Sequence, residues 1–105
     1  MSDPLDEAFQ QLRREYAASL PERLAELQSD LGSWRAGAEA SLASLRVRFH
    51  RLAGSGGSYG FVNLSALARE AERAIESGES NDHVGAIVDR LAQAVTAAQV
   101  AVARE

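Results

Sequence analysis

His50 opens the stretch HRLAGSGGSYGF, residues 50–61, in which an imidazole is followed by Gly54, Gly56, Gly57 and Gly60. A glycine in a helix interior costs up to about 1 kcal/mol, so a run of them beside an imidazole indicates that something large approaches that ring closely. The chemistry on offer is a ring nitrogen presented to a docked partner. Arg46, one helical turn before His50, stands where it could attract or steady an anion. The rest of the chain must hold this ring at a surface and keep the ground beside it clear.

Much other chemistry is excluded. The chain has no cysteine, which removes disulfides, thiolate metal sites and cysteine nucleophiles together. All eleven cations are arginine, so a Walker-type phosphate loop, a Schiff-base lysine and a lysine general base are absent. Metal binding would rest on carboxylates and two histidines. A net charge of −4 argues against binding to a phosphate backbone, and nucleic acid is not an expected partner. Uninterrupted apolar runs fall far short of the ~20 residues that span a bilayer, and no signal peptide leads the chain. No membrane insertion is therefore expected, and the cytoplasm is the default location.

With 105 residues, 46% of them hydrophobic and 25% charged, the chain reads as one domain over residues 1–105. Asp3 and Pro4 form a cap and first-turn pair, after which Leu5, Phe9, Leu12, Tyr16, Leu20, Leu24, Leu27, Leu31 and Trp34 trace one apolar stripe at helical spacing. Pro21 interrupts it, with Ser19 and Glu22 resembling a capping box, so either a second helix begins near residue 20 or one long helix kinks there. The stripe keeps its phase across the proline, which favours the long kinked helix.

Gly32 and Gly37 mark a turn. Leu42, Leu45, Phe49, Leu52, Gly56 and Tyr59 then form the inner face of a second helix, which carries His50. Gly60 offers a stop, and Asn63 a cap for a third helix facing inward through Leu64, Leu67, Ala71 and Ala74 or Ile75. The polar run 77–82 is a loop, and a fourth helix from about Asp82 faces inward through Val84, Ile87, Val88, Leu91, Val95, Ala98 and Val102. Nothing reads as a strand. The expected fold is all-α, an antiparallel four-helix bundle with a long, Pro-kinked first helix.

At about 100° per residue, His50 falls roughly 130° from the centre of its helix's apolar stripe, on the wet flank. Arg46 lies on the same side one turn before it, and Ala53, Gly54 and Gly57 one and two turns after it. A lone flank histidine is more often a solvated surface residue, and glycines alone resemble a linker. Leu52, Gly56 and Tyr59, however, carry the helical apolar phase through the glycine-rich stretch. A dinucleotide loop fails because Tyr59 occupies the third glycine position of a G-x-G-x-x-G frame begun at Gly54, and the stretch follows a helix.

Residues 50–61 resemble the signature of the histidine-containing phosphotransfer (HPt) domain of two-component phosphorelays. That signature sets the phospho-accepting histidine before x-Leu-Lys-Gly-Ser, a small-residue run and a glycine ten residues on. His50, Leu52, Gly54, Ser55, the run 56–58 and Gly60 fit it, and the pattern continues through Leu64 and Leu67. One position departs: Ala53 stands where the family commonly has lysine. Arg46, or less directly Arg51, is the expected replacement cation.

The resemblance implies a four-helix bundle that accepts a phosphoryl group on His50 from one receiver domain and passes it to another, without kinase activity of its own. It implies no cofactor beyond the Mg2+ that the partner receiver domain supplies. His50 lies ten residues before Gly60 and Glu72 twelve after it, so in an antiparallel pair they stand at about the same height. The family often has Glu or Gln there, which makes Glu72 the residue expected to orient His50. The competing reading is a solvated carboxylate, since its neighbours Arg69, Glu70 and Arg73 read as ordinary exposed charge.

Arg51, Ala53, Gly54 and Gly57 are expected to form the docking surface of a monomer. His83 is expected to be a solvated, unphosphorylated residue, and Tyr59 and Phe61 to be packing residues. Met1 ahead of a capped helix is expected to be a natural start, the other reading being a segment of a hybrid kinase. A different functional class stays open: a bundle that docks a receiver or a helix without chemistry, for which Ala53 is the supporting feature.

Overall fold

Asp3 starts the first helix as its position before Pro4 predicts: its carboxylate accepts from the Leu5 N–H at 2.8 Å, satisfying one of the donors a helix start leaves open. The structure is a computed structural model and describes residues 3–105; Met1, read above as a natural start, lies outside them. The elements are α1 (Pro4–Arg35), α2 (Ala40–Ser58), α3 (Val62–Glu76) and α4 (Asn81–Ala103), with no strand among the described residues.

α1 runs unbroken through Pro21 for 32 residues. Ser19 does not cap a second helix. Its hydroxyl donates back to the Tyr16 carbonyl at 2.6 Å and accepts from Arg23 Nε at 3.0 Å, both within the one helix. The apolar stripe supports this continuity, because Tyr16, Leu20, Leu27 and Leu31 are buried on both sides of the proline.

The lower end of that stripe is not core. Leu5 is 78% exposed, and Phe9 and Leu12 are exposed as well. α1 outruns its neighbours: Arg13 NH2 already pairs at 3.0 Å with Glu105 at the chain end after α4, so the turns before it have little helix beside them. Phe9 still stacks on Tyr59, at 6.1 Å between ring centroids.

α2 ends in a turn that glycine permits. Gly60 has φ +82°, the left-handed region that L side chains avoid. The Gly60 N–H reaches the Gly57 carbonyl at 3.0 Å and the Phe61 N–H the Gly56 carbonyl at 2.9 Å, the paired bonds of a Schellman cap. α1 and α3 end the same way. Asn63 is not the cap of α3: the helix begins at Val62 behind Phe61 with no side-chain cap. Phe61 is buried, so packing of its ring in the turn fixes the start where a hydrogen-bonding side chain was expected. α4 begins one residue before the expected Asp82, capped by Ser80, whose hydroxyl accepts from the His83 N–H at 3.1 Å.

Each helix packs on two others, α1 on α2 and α4, α3 on α2 and α4, and the Cα atoms of the diagonal pairs stay more than 8 Å apart. Joined by short turns, this is an antiparallel bundle. Its centre is filled by Leu20, Leu27, Leu45, Phe49, Leu64, Val84, Val88 and Leu91. By length and mean hydropathy α4 would suffice to cross a membrane, which a count of uninterrupted apolar runs does not register. Its Val84, Ile87, Val88, Leu91, Val95 and Ala98 are buried in the core, and this accounts for much of its apolar character.

Candidate functional site

The site lies between α2 and α3, which pack together closely two turns away from it. A Cβ on Gly56 would stand 3.3 Å from Leu64 Cδ2 and 3.7 Å from the Ser65 backbone nitrogen, and one on Gly57 would stand 3.2 Å from Ser65 Oγ. That hydroxyl cannot easily give way, since it donates to the Ala53 carbonyl at 2.6 Å from a buried position. Gly56 and Gly57 therefore clear the way for α3 within the bundle. Gly54 has open ground beside it: nothing lies within 4 Å of a Cβ placed there.

The contact of Ser65 with Gly57 also fixes the register of the pair. Seven residues back along α2 from Gly57 and seven forward along α3 from Ser65 lie His50 and Glu72. They meet, with His50 Nδ1 2.9 Å from Glu72 Oε2. An ionised carboxylate only accepts, so Nδ1 carries the hydrogen and donates it, and in the neutral ring this leaves Nε2 as the bare nitrogen. The imidazole side chain is 74% exposed and the carboxylate beneath it 15%. The ring is thus tethered at its inner nitrogen and open at the outer one, with Phe49 and Leu52 beside it anchored in the core. Such a ring can act as a nucleophile, and the carboxylate stabilises the positive charge that attack places on it.

Arg46 stands next to this pair. Its NH1 lies 3.3 Å from Glu76 Oε1 and 3.9 Å from Glu72 Oε2, so its charge is shared between two carboxylates of α3. An open depression lies on this side of the ring, lined by Arg46, Val47, His50, Arg51, Glu72 and Glu76. A second lies on the other side, lined by His50, Ala53, Gly54, Arg69, Glu72 and Arg73.

Ala53 is buried rather than presented on the wet flank; its small side chain floors the second depression and offers a partner little surface. Arg51, Gly54 and Gly57 are exposed. Arg69 and Arg73, read in the sequence as ordinary exposed charge, line the cleft beside the imidazole. The register that points from His50 to Glu72 could have found Arg69: three residues on from His50 is Ala53, and three back from Glu72 is Arg69.

Beyond the glycines, the Tyr16 hydroxyl lies 2.7 Å from Ser55 Oγ, which in turn donates to the Arg51 carbonyl at 2.9 Å. Tyr59 and Phe61 stack on Tyr16 at 4.7 and 5.9 Å between centroids, and Arg13 lies over the Phe61 ring at 4.4 Å. Both aromatics are packing residues, as expected. His83 is exposed in the first turn of α4. Among the described residues no group of three His, Asp or Glu side chains gathers as a metal site would require.

A bundle with a carboxylate-tethered, outward-facing histidine on its second helix defines a class, and comparison with known families agrees: the Hpt domain model matches residues 11–101. The chain belongs to the Hpt domain family. Members of that family carry phosphoryl groups on histidine in phosphorelays and interact with receiver domains; they are carriers rather than kinases. Neither the search of curated proteins nor that of solved structures returns a match.

Proposed function

We propose that His50 is the phospho-accepting residue, and that the chain takes a phosphoryl group from the aspartyl phosphate of one receiver domain and delivers it to the aspartate of another. The Nε2 lone pair forms the new P–N bond while the P–O bond to the aspartyl oxygen breaks. The bonding pair leaves with the carboxylate, and the imidazolium so formed keeps its Nδ1 proton against Glu72. Delivery is the reverse, with a receiver carboxylate attacking phosphorus and the bonding pair returning to Nε2. The receiver's acidic pocket supplies the Mg2+, and this chain supplies no cofactor.

Glu72 orients the ring, and Arg46 both steadies Glu72 and stands within a turn of the incoming anion. Arg51, Gly54 and Gly57 form the docking ground, with Ala53 as its floor. The observation carrying this reading is the 2.9 Å bond from Nδ1 to Glu72 on a ring left 74% exposed. In this reading the protein works as a cytoplasmic monomer, and its net charge of −4 supports a protein partner over nucleic acid.

Incubating the purified protein with a phosphorylated receiver and Mg2+ tests it. Acid-labile, base-stable label is expected on the parent and none on His50→Gln; label on both would refute the site. Ala53, in place of the family's lysine, supports a second reading in which the bundle docks a receiver without chemistry. Absence of label from the parent, across several receivers that do bind, would favour that reading.

A further inference from the structure

A phosphoryl group on Nε2 of His50 is a dianion near neutral pH, placed beside the Glu72 carboxylate. A nearby cation is needed to hold it. The family's lysine position is filled by Ala53, and Arg46 is committed to Glu76 and Glu72 at 3.3 and 3.9 Å. The cleft on the other side of the ring holds two further arginines, Arg69 and Arg73, both on α3. Among the described residues neither has an ion-pair partner within 4 Å, whereas Arg13, Arg35, Arg46, Arg48 and Arg90 do; Arg51 has none either, but it lines the depression on the Arg46 side of the ring, away from the Ala53 position.

Of the two, Arg69 is the better placed. The α2–α3 register that sets Glu72 against His50 sets Arg69 against Ala53, opposite the position from which the family's cation would come. Ala53 has only a methyl group and Gly54 has open space above it, so the floor of the cleft leaves room for a guanidinium to reach toward Nε2. Resting on the function proposed above, we infer that Arg69 of α3 is the residue that contacts the phosphoryl group on His50. The cation has moved from the histidine's own helix to the facing one. A guanidinium suits the task, since its paired N–H groups match two phosphoryl oxygens at once.

Phosphoramidate tests this without a receiver. Nε2 attacks its phosphorus, the P–N bond to the ammonia nitrogen breaks, and ammonia leaves. Loading is measured by phosphorus NMR on the parent and on Arg69→Gln, Arg69→Lys, Arg73→Gln and Arg46→Ala. Arg69→Gln should load about two- to fivefold more slowly, as loss of one charge-assisted contact at an open site implies.

The pH midpoint of the phosphoryl group's last ionisation should also rise in that variant, because a cation favours the dianion. Arg69→Lys should retain most of both effects, and Arg73→Gln should change them less. A loading rate and midpoint in Arg69→Gln equal to the parent's would overturn the assignment, as would a larger rise of the midpoint in Arg73→Gln or Arg46→Ala. Failure of the parent itself to take label on His50 would remove the proposed function, and this inference with it. Arg69 is exposed, so thermal unfolding of the variants is expected to match the parent.

Discussion

Glu72 Oε2 stands 2.9 Å from Nδ1 of His50, and the carboxylate is 15% exposed where the imidazole it holds is 74% exposed. The difference in exposure is what makes the pair useful. A carboxylate seated between helices has few rotamers available, so the ring it binds is held in one orientation and one tautomer, while the face presented to a partner stays wet. Glu72→Ala frees the ring and lets the proton reside on either nitrogen. Loss of a part-exposed charge-assisted hydrogen bond of about 1 kcal/mol corresponds to phosphoryl acceptance roughly fivefold slower. Glu72→Gln, which keeps an acceptor without the charge, should fall between Ala and the parent. Time courses of label transfer from a phosphorylated receiver measure both.

The glycines separate docking from chemistry. Gly54 lies inside α2 with nothing within 4 Å of an added Cβ, so Gly54→Ala should stabilise the fold by about 0.5–1 kcal/mol through helix propensity alone. Gly60→Ala forces a side chain onto φ +82° and should destabilise by about 1–2 kcal/mol. Thermal unfolding should show melting temperatures displaced in opposite directions. Gly54→Trp should slow transfer from a receiver at least tenfold, about 1.4 kcal/mol of lost docking, and slow loading from phosphoramidate by no more than Arg69→Gln does, since the indole fills the cleft that Arg69 shares with Gly54. Equal loss with both donors would mean that the indole disturbs His50 itself rather than the approach of a protein.

Most of the bundle was legible because hydrophobic periodicity and glycine turns are local signals. Asp3, Gly37 and Gly60 each act through their immediate neighbours, and the fold places them as the sequence implies. The register of Glu72 against His50 was legible as well, since it needs only a turn position and an antiparallel pair. What the sequence concealed depends on which neighbour is present. Gly56 and Gly57 look the same as Gly54 in a string of small residues, and only the position of Ser65 and Leu64 shows that they serve helix packing. Ala53 reads as a flank residue by angle, yet α3 covers it. Arg69 reads as solvated charge until the facing helix puts it at the imidazole's cleft.

The stripe of α1 supplies a stability test of the same point. Leu20 and Leu5 belong to one apolar stripe, but Leu20 is completely buried and Leu5 is 78% exposed. Leu20→Ala should cost about 2–5 kcal/mol by removing packed methyl groups and leaving a cavity. Leu5→Ala should stay within about 0.5 kcal/mol of the parent, as surface substitutions do. Chemical denaturation with both variants measures the contrast, and comparable losses would show that the first turns of α1 are covered in solution.

Tyr16 predicts how the fold responds to alkali. Burial of the ring lifts its phenol above the ordinary tyrosine value of 10.0, with Tyr59 adding to the rise and the Ser55 hydrogen bond and the Arg23 charge opposing it. Between the unfolded value and the raised folded one, the native state holds a proton that the unfolded chain has released. The contribution to stability is therefore complete below about pH 10 and is lost as pH climbs through the folded value. Tyr16→Phe removes that dependence and with it the 2.7 Å bond to Ser55, whose hydroxyl keeps its bond to the Arg51 carbonyl at 2.9 Å. The variant should be about 1 kcal/mol less stable at neutral pH, and its melting temperature should fall less steeply than the parent's above pH 10. Parallel curves for the two proteins from pH 8 to pH 12 would place the alkaline sensitivity elsewhere in the bundle.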